Sequence, residues 1–208
     1  MKKRIIVTML ASTMLINIPI FAASNTNAQS EYTATYSQVQ NDVIKNALAV
    51  GIIENTDYEW NKDITRLQFC EIAYNMLNSI KELPVAKLSR NPFDDVSNPK
   101  INALAFVGII NGKGENKFAP NDKITKEEAT VILYRIAKYA GLEIPEVKVD
   151  MSYSDNNTIS DWAISPIYSL KVLGIINNTS EEKFNPKSNY TVEESVTSIL
   201  KLYKLIKK

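Results

Sequence analysis

The chain is 208 residues long, with 24 basic against 23 acidic side chains, one cysteine and no histidine. Near-balanced charge leaves no molecule-wide field to gather nucleic acid or an anionic bilayer, so any attraction for an anion must be local. The missing histidine excludes His-containing zinc sites and Ser-His-Asp catalysis, and a lone cysteine excludes an internal disulfide.

In chain order, residues 1–28 have the form of a secretory signal peptide. Met1 to Arg4 is the charged start, Ile5 to Ala23 the mostly apolar middle, and Thr26-Asn27-Ala28 a small-residue exit. Thr8, Ser12, Thr13, Asn17 and Pro19 interrupt the apolar stretch, which favours a cleaved signal over a permanent span. The chain is expected to be exported with no stable membrane span after cleavage, Ala23 and Ala28 being rival ends. Cys70 falls in an apolar helical pattern, which predicts a buried, inert thiol, since no histidine exists to act as its base.

The rest of the chain repeats itself three times. Gly51-Ile-Ile53 recurs as Gly108-Ile-Ile110 and Gly174-Ile-Ile176, each after a short apolar pattern that predicts a helix ending at a positive-φ glycine. Downstream lie Tyr58, Phe118 and Phe184, predicted to be loop anchors together with Trp60. Seven residues after each of the first three comes a capping signal: Thr65 with Gln68, Thr125 with Glu128, Thr191 with Glu194. Past each threonine, offsets +4, +7, +8, +11, +12 and +15 fall on one helical face. They are Phe69 to Ile80 in the first repeat, Ala129 to Ala140 in the second and Ser195 to Ile206 in the third, the last polar near its start. Breakers Pro84, Pro92 and Pro145 separate the repeats. A two-helix unit cannot bury its stripe alone, whereas three can share one core. The predicted fold is therefore all-α: three helix-loop-helix repeats in a pseudo-threefold bundle with a shared central helical core.

These residues resemble the S-layer homology domains of bacterial surface proteins. The second repeat shows Phe93-Asp94-Asp95-Val96, Gly108-Ile109, Phe118-Ala119-Pro120 and Ile124-Thr125-Lys126-Glu127-Glu128-Ala129. The third shows Tyr153-Ser154-Asp155, Trp162-Ala163, Gly174-Ile175, Phe184-Asn185-Pro186 and Tyr190-Thr191-Val192-Glu193-Glu194. The first is the most eroded, keeping Tyr36-Ser37-Gln38-Val39, Gly51-Ile52, Tyr58-Glu59-Trp60 and Ile64-Thr65-Arg66-Leu67-Gln68. The resemblance implies a three-pronged fold, with repeats at 29–82, 93–142 and 152–208. It also implies noncovalent anchoring to the bacterial cell wall through anionic, pyruvylated secondary cell-wall polysaccharide, held in grooves between neighbouring prongs. It calls for no cofactor, no metal and no catalytic residue, and places the protein at the cell surface.

Carried over position by position, the family's groove cation falls on Arg66 and Lys126, its early acid on Asp95 and Asp155, and its helix tryptophan on Trp162. Val192 replaces the cation in the third repeat and Gln38 the acid in the first, and the first two repeats lack the helix tryptophan. Fewer than three working grooves are implied. Lys126 at a helix start opposes the macrodipole at a cost of about 0.3–1 kcal/mol. Unoccupied first-turn N–H groups beside such a cation would make a carboxylate or phosphate site that offsets the cost.

Bland readings compete at each position. Arg66 and Lys126 can be solvated or paired, Asp95 and Asp155 can be caps, and Trp162 can pack in the core. Asp94-Asp95, Glu127-Glu128, Glu181-Glu182 and Glu193-Glu194 are poorly placed for glycosidic acid/base work, because helix neighbours do not face each other and Glu128 and Glu194 already cap. The basic end, Lys201 to Lys208, continues the core stripe and is read as a solvated face rather than a membrane-surface helix. The alternative of a different class is a non-enzymatic surface assembly or docking protein with degenerate grooves, whose partner is another exported protein.

Overall fold

Threonine at a helix start with Glu or Gln three residues on satisfies two orphan N–H groups reciprocally. All three predicted capping boxes form. The computed structural model describes residues 40–83, 91–145, 153–176 and 182–208, all within the compact unit Ser37–Lys208. The signal peptide expected at 1–28 and the opening of the first repeat, including Gln38, lie outside the described residues.

Among the described residues six α-helices follow one another: α1 (residues 40–49), α2 (Arg66–Ile80), α3 (Pro99–Phe106), α4 (Lys126–Tyr139), α5 (Asp161–Val172) and α6 (Val192–Ile206). Among the described residues there is no strand, and the fold is all-α as expected. The short helices α1, α3 and α5 end at glycines of φ +72°, +76° and +70°. That turn lets Ile52, Ile109 and Ile175 donate back to Ala47, Leu104 and Leu170 at 2.9–3.0 Å while their side chains enter the core.

The long helices α2, α4 and α6 touch one another pairwise. Their predicted stripes meet there: Phe69, Ile72, Ala73, Met76 and Leu77; Ala129, Ile132, Leu133, Ile136 and Ala137; Ser195, Ser198, Ile199 and Leu202 are all buried. Both buried serines are satisfied, Ser195 on its own N-cap carbonyl at 2.7 Å and Ser198 with the Tyr190 hydroxyl at 2.5 Å. Tyr58 and Trp60 are half-buried against this core, while Phe118 and Phe184 are buried in it.

Burial also extends beyond the stripes, to Tyr74, Val131 and Leu200. One reason lies in the packing of α3 on α2 and α5 on α4, where a short helix covers the long helix that precedes it in the chain. Polar ties follow the same rule. Asn98 at the start of α3 donates to Glu71 of α2 at 2.9 Å, and Gln40 of α1 donates to Glu193 of α6 at 3.3 Å.

Just ahead of the long helices, three residues exchange backbone hydrogen bonds in a closed circuit. Ile64 donates to Tyr190 at 2.9 Å, Tyr190 to Ile124 at 2.9 Å, and Ile124 to Ile64 at 3.3 Å. All three side chains are buried.

The loops before the long helices are held by acids. Both Asp95 carboxylate oxygens accept backbone N–H groups, from Phe118 at 2.8 Å and Ala119 at 2.9 Å. Asp155 does the same for Phe184 at 2.9 Å and Asn185 at 2.7 Å. Ala119 and Asn185 sit at φ +61° and +57°, a conformation costly for alanine and better tolerated by asparagine. The acid therefore holds a turn that alanine would not choose.

Two outcomes are expected. Ile124→Ala should cost about 2–5 kcal/mol in chemical unfolding, whereas Phe106→Ala, at a side chain 65% exposed, should stay within about 0.5 kcal/mol. The Phe118 N–H, then that of Ala119, holds the Asp95 pKa below its ordinary value. Stability from a depressed carboxylate is present above the unfolded value of about 3.9 and is lost as pH falls through the lower folded value. Asp95→Asn should thus be less stable than the parent at neutral pH and show a smaller fall in urea midpoint below about pH 4.

Candidate functional site

The first four N–H groups of a helix have no intrahelical partner, and an anion site at a helix start needs some of them open. That expectation is not met. Arg66 and Leu67 of α2 donate to the carbonyls of Asp122 and Pro120 at 2.8 and 3.1 Å. Lys126 and Glu127 of α4 donate to Ser188 and Pro186 at 2.9 and 3.1 Å, and Val192 and Glu193 of α6 to Lys62 and Trp60 at 3.0 and 3.1 Å. The capping boxes take the N-cap and third-residue N–H groups. Loop carbonyls of a neighbouring repeat occupy the places an anion would need, so charge recognition has to come from side chains.

The candidate cations differ from each other. Arg66 is 5% exposed, and its guanidinium donates from Nε to Phe118 O at 3.0 Å and from Nη2 to Asn111 O at 2.8 Å, while lying over the Phe118 ring. Its first task is to fix the Asn111–Phe118 loop against α2. Lys126 keeps partial exposure and pairs with Glu194 Oε1 at 2.9 Å. Glu194 also accepts the Thr191 N–H through Oε2, so one carboxylate caps α6 and offsets the misplaced lysine of α4. Val192, in the third cation position, is buried among apolar neighbours and brings no charge.

Asp95 and Asp155 serve their loops, with both oxygens of each engaged. Trp162 lies in the first turn of α5 and is 55% exposed, outside the core. Four residues on, Pro166 has no N–H to give the Trp162 carbonyl, which leaves a backbone acceptor near the indole without its usual helical donor.

Further polar residues meet at this seam between segments 93–142 and 152–208, among them Glu127, weighed from sequence only as half of an acid/base pair, and Lys187, not singled out. Glu127, only 4% exposed, accepts from the Ser160 N–H and hydroxyl, both at 3.1 Å. Lys187 closes the group by contacting both Glu127 and Ser160. The available signal was Glu127 itself, an extra acid beside a capping glutamate and one residue from Lys126. The seam thus ties the start of α5, the helix that carries Trp162, to Glu127 of α4 and to Lys187, while the adjacent Lys126 reaches instead to Glu194 of α6.

Cys70 is fully buried, and burial pushes its thiol up to about 12, consistent with an inert group. Among the described residues no His/Cys/Asp/Glu cluster suits a metal ion, and no helix is long and apolar enough to cross a membrane.

Comparison with known proteins supplies the context. Residues 92–130 match the S-layer homology domain. The chain is similar to an amylopullulanase of Thermoanaerobacterium thermosulfurigenes, 32% identical over 179 residues, covering 83% of this chain and 10% of that protein. It is also similar to exoglucanase XynX of Acetivibrio thermocellus, 35% identical over 166 residues, covering 76% of this chain and 15% of that protein. An S-layer protein of Bacillus thuringiensis subsp. finitimus is 28% identical over 171 residues, covering 77% of this chain and 20% of that protein. The chain thus spans a tenth to a fifth of the length of these relatives. Residues 92–130, which carry the Asp95-held loop and the start of α4, are thus identified as an S-layer homology domain within this chain.

Proposed function

We propose that this chain is a cell-surface module that anchors noncovalently to the cell wall by binding an anionic, pyruvylated secondary cell-wall polysaccharide. Its segments 29–82, 93–142 and 152–208 act as three copies of one unit in a pseudo-threefold, three-pronged arrangement. Relatives named as an amylopullulanase, an exoglucanase and an S-layer protein share this portion. Those names share no one reaction, which is what a common non-catalytic portion would give.

The observation that carries the reading is an indole 55% exposed in the first turn of α5, a helix whose start is bonded through Ser160 to Glu127 and Lys187. An exposed aromatic face suits stacking on a sugar ring, and flanking ammonium groups suit a carboxylate substituent. In this reading Lys126 and Trp162 touch the glycan, while Arg66, Asp95 and Asp155 shape the loops that wall the grooves. The docking alternative draws on Val192 and on the filled helix starts, which leave the first turn of α6 with neither a cation at its first position nor an open N–H there for an anion.

The test is co-sedimentation with purified wall, before and after chemical removal of its secondary polymer. Retention should fall on removal; unchanged retention would favour a protein partner in the wall. Lys126→Ala combined with Trp162→Ala should weaken wall binding by at least about tenfold. Its helical circular dichroism should match the parent, because a partly exposed ion pair and an exposed indole contribute only about 1 kcal/mol to stability.

A further inference from the structure

The seam between the first and second repeats contains two arginines that the grooves described so far do not explain. Arg66 Nη2 donates to Asn111 O at 2.8 Å, and Arg135 Nη1, from the middle of α4, donates to Ile109 O at 3.2 Å. Those carbonyls are two residues apart, so their α-carbons lie within about 7 Å. The half-buried lysines nearby all have a carboxylate: Lys100 has Glu54, Lys113 has Asp122 and Glu128, and Lys126 has Glu194. Among the described residues neither Arg66 nor Arg135 has one within ion-pair distance.

Holding up the loop does not require this charge. Ten residues after its capping threonine, α2 carries Asn75 where α4 carries Arg135. Asn75 donates to the Ile52 carbonyl at 3.4 Å, the counterpart of Ile109. A neutral amide thus performs the backbone task in the first repeat. In the second, an arginine performs it and sets a second positive charge near Arg66 in a partly desolvated place. Burial first, then the charge of Arg66, lower the Arg135 pKa. Uncompensated cations held together at a seam depart from local stability rules, and such departures concentrate at functional positions.

We propose that Arg135, backed by the field of Arg66, binds one oxyanion substituent of the wall glycan, a carboxylate or a phosphate, in the seam between the first and second repeats. Arg66 has spent Nε and Nη2 on carbonyls and is nearly enclosed, so it acts mainly through its charge. Arg135 is partly exposed and has used one of its five N–H donors, so it makes the contact. This assignment rests on the anionic-glycan reading above and adds a specificity residue outside the helix starts.

The experiment compares the full chain with Arg135→Asn, which copies Asn75, and with Arg135→Lys. Thermal unfolding is followed in sodium phosphate, sodium pyruvate and sodium chloride at matched ionic strength, and wall binding is titrated against salt. The parent should gain stability in phosphate or pyruvate over chloride, and whichever anion acts identifies the substituent. Arg135→Asn should fold at least as stably as the parent in chloride, lose the anion response, bind wall about tenfold more weakly and show a shallower salt dependence. Arg135→Lys should keep part of both. Equal anion responses in parent and Arg135→Asn, or equal wall affinity, would overturn the assignment while leaving the wall reading intact. Retention of the parent on polymer-stripped wall, with the solution response to anions present, would overturn the wall reading instead. If Arg135→Asn does not fold, Arg135→Lys and the parent decide: a parent indifferent to both anions sinks the proposal.

Discussion

The structure depends on backbone hydrogen bonds that pass from one repeat to another around a closed path. Ile64, Tyr190 and Ile124 bond in a circuit, and just beyond it the loop carbonyls of Pro120 and Asp122, Pro186 and Ser188, and Trp60 and Lys62 cap α2, α4 and α6. A helix start buried without partners is expensive, because each orphaned N–H loses its water and gains no hydrogen bond in return. Here each repeat supplies the donors for one neighbour and the acceptors for the other. The apolar stripes provide the bulk of the burial, and the circuit sets how the long helices are registered against each other.

Much of this arrangement was legible from spacing. The capping threonines, the glycine turns and the stripes are local signals with a fixed period, and Thr125, Gly108 and Ile132 behave as their neighbours in sequence dictate. What spacing could not show was which partner each helix end would meet. Nothing in the run Asn121 to Ala129 announces that Lys126 N–H is taken by Ser188, because that bond joins residues far apart in the chain. The same blindness applied to α3 lying on α2 and α5 on α4, which is why burial of Tyr74 and Val131 was missed.

The candidate site shows a similar division. Asp95 and Asp155 were recognisable as important acids, but only the coordinates show both oxygens of each bound to a loop with a left-handed residue. Arg66 and Lys126 share a sequence position and differ in circumstance, one enclosed on carbonyls and the other paired with Glu194. Trp162 stood out by type, and its exposure separates it from the buried Phe118 and Phe184. Lys187 and Arg135 were not singled out, and Glu127 was weighed only as an acid/base pair with Glu128, because their meaning comes from residues of other segments: Ser160 for Glu127, Glu127 for Lys187 and the charge of Arg66 for Arg135.

Capping across repeats also bears on how such a module can change over time. A unit whose helix start is finished by its neighbour is not a bead that can be added or dropped singly; removing one copy strips acceptors from a second and strands the carbonyls of a third. Mutational drift within a copy is tolerated, as the worn α6 illustrates with Ser195 and Ser198 in its core stripe. Divergence is therefore expected in side chains such as Val192, which leave these backbone bonds intact, rather than in the segments that supply them.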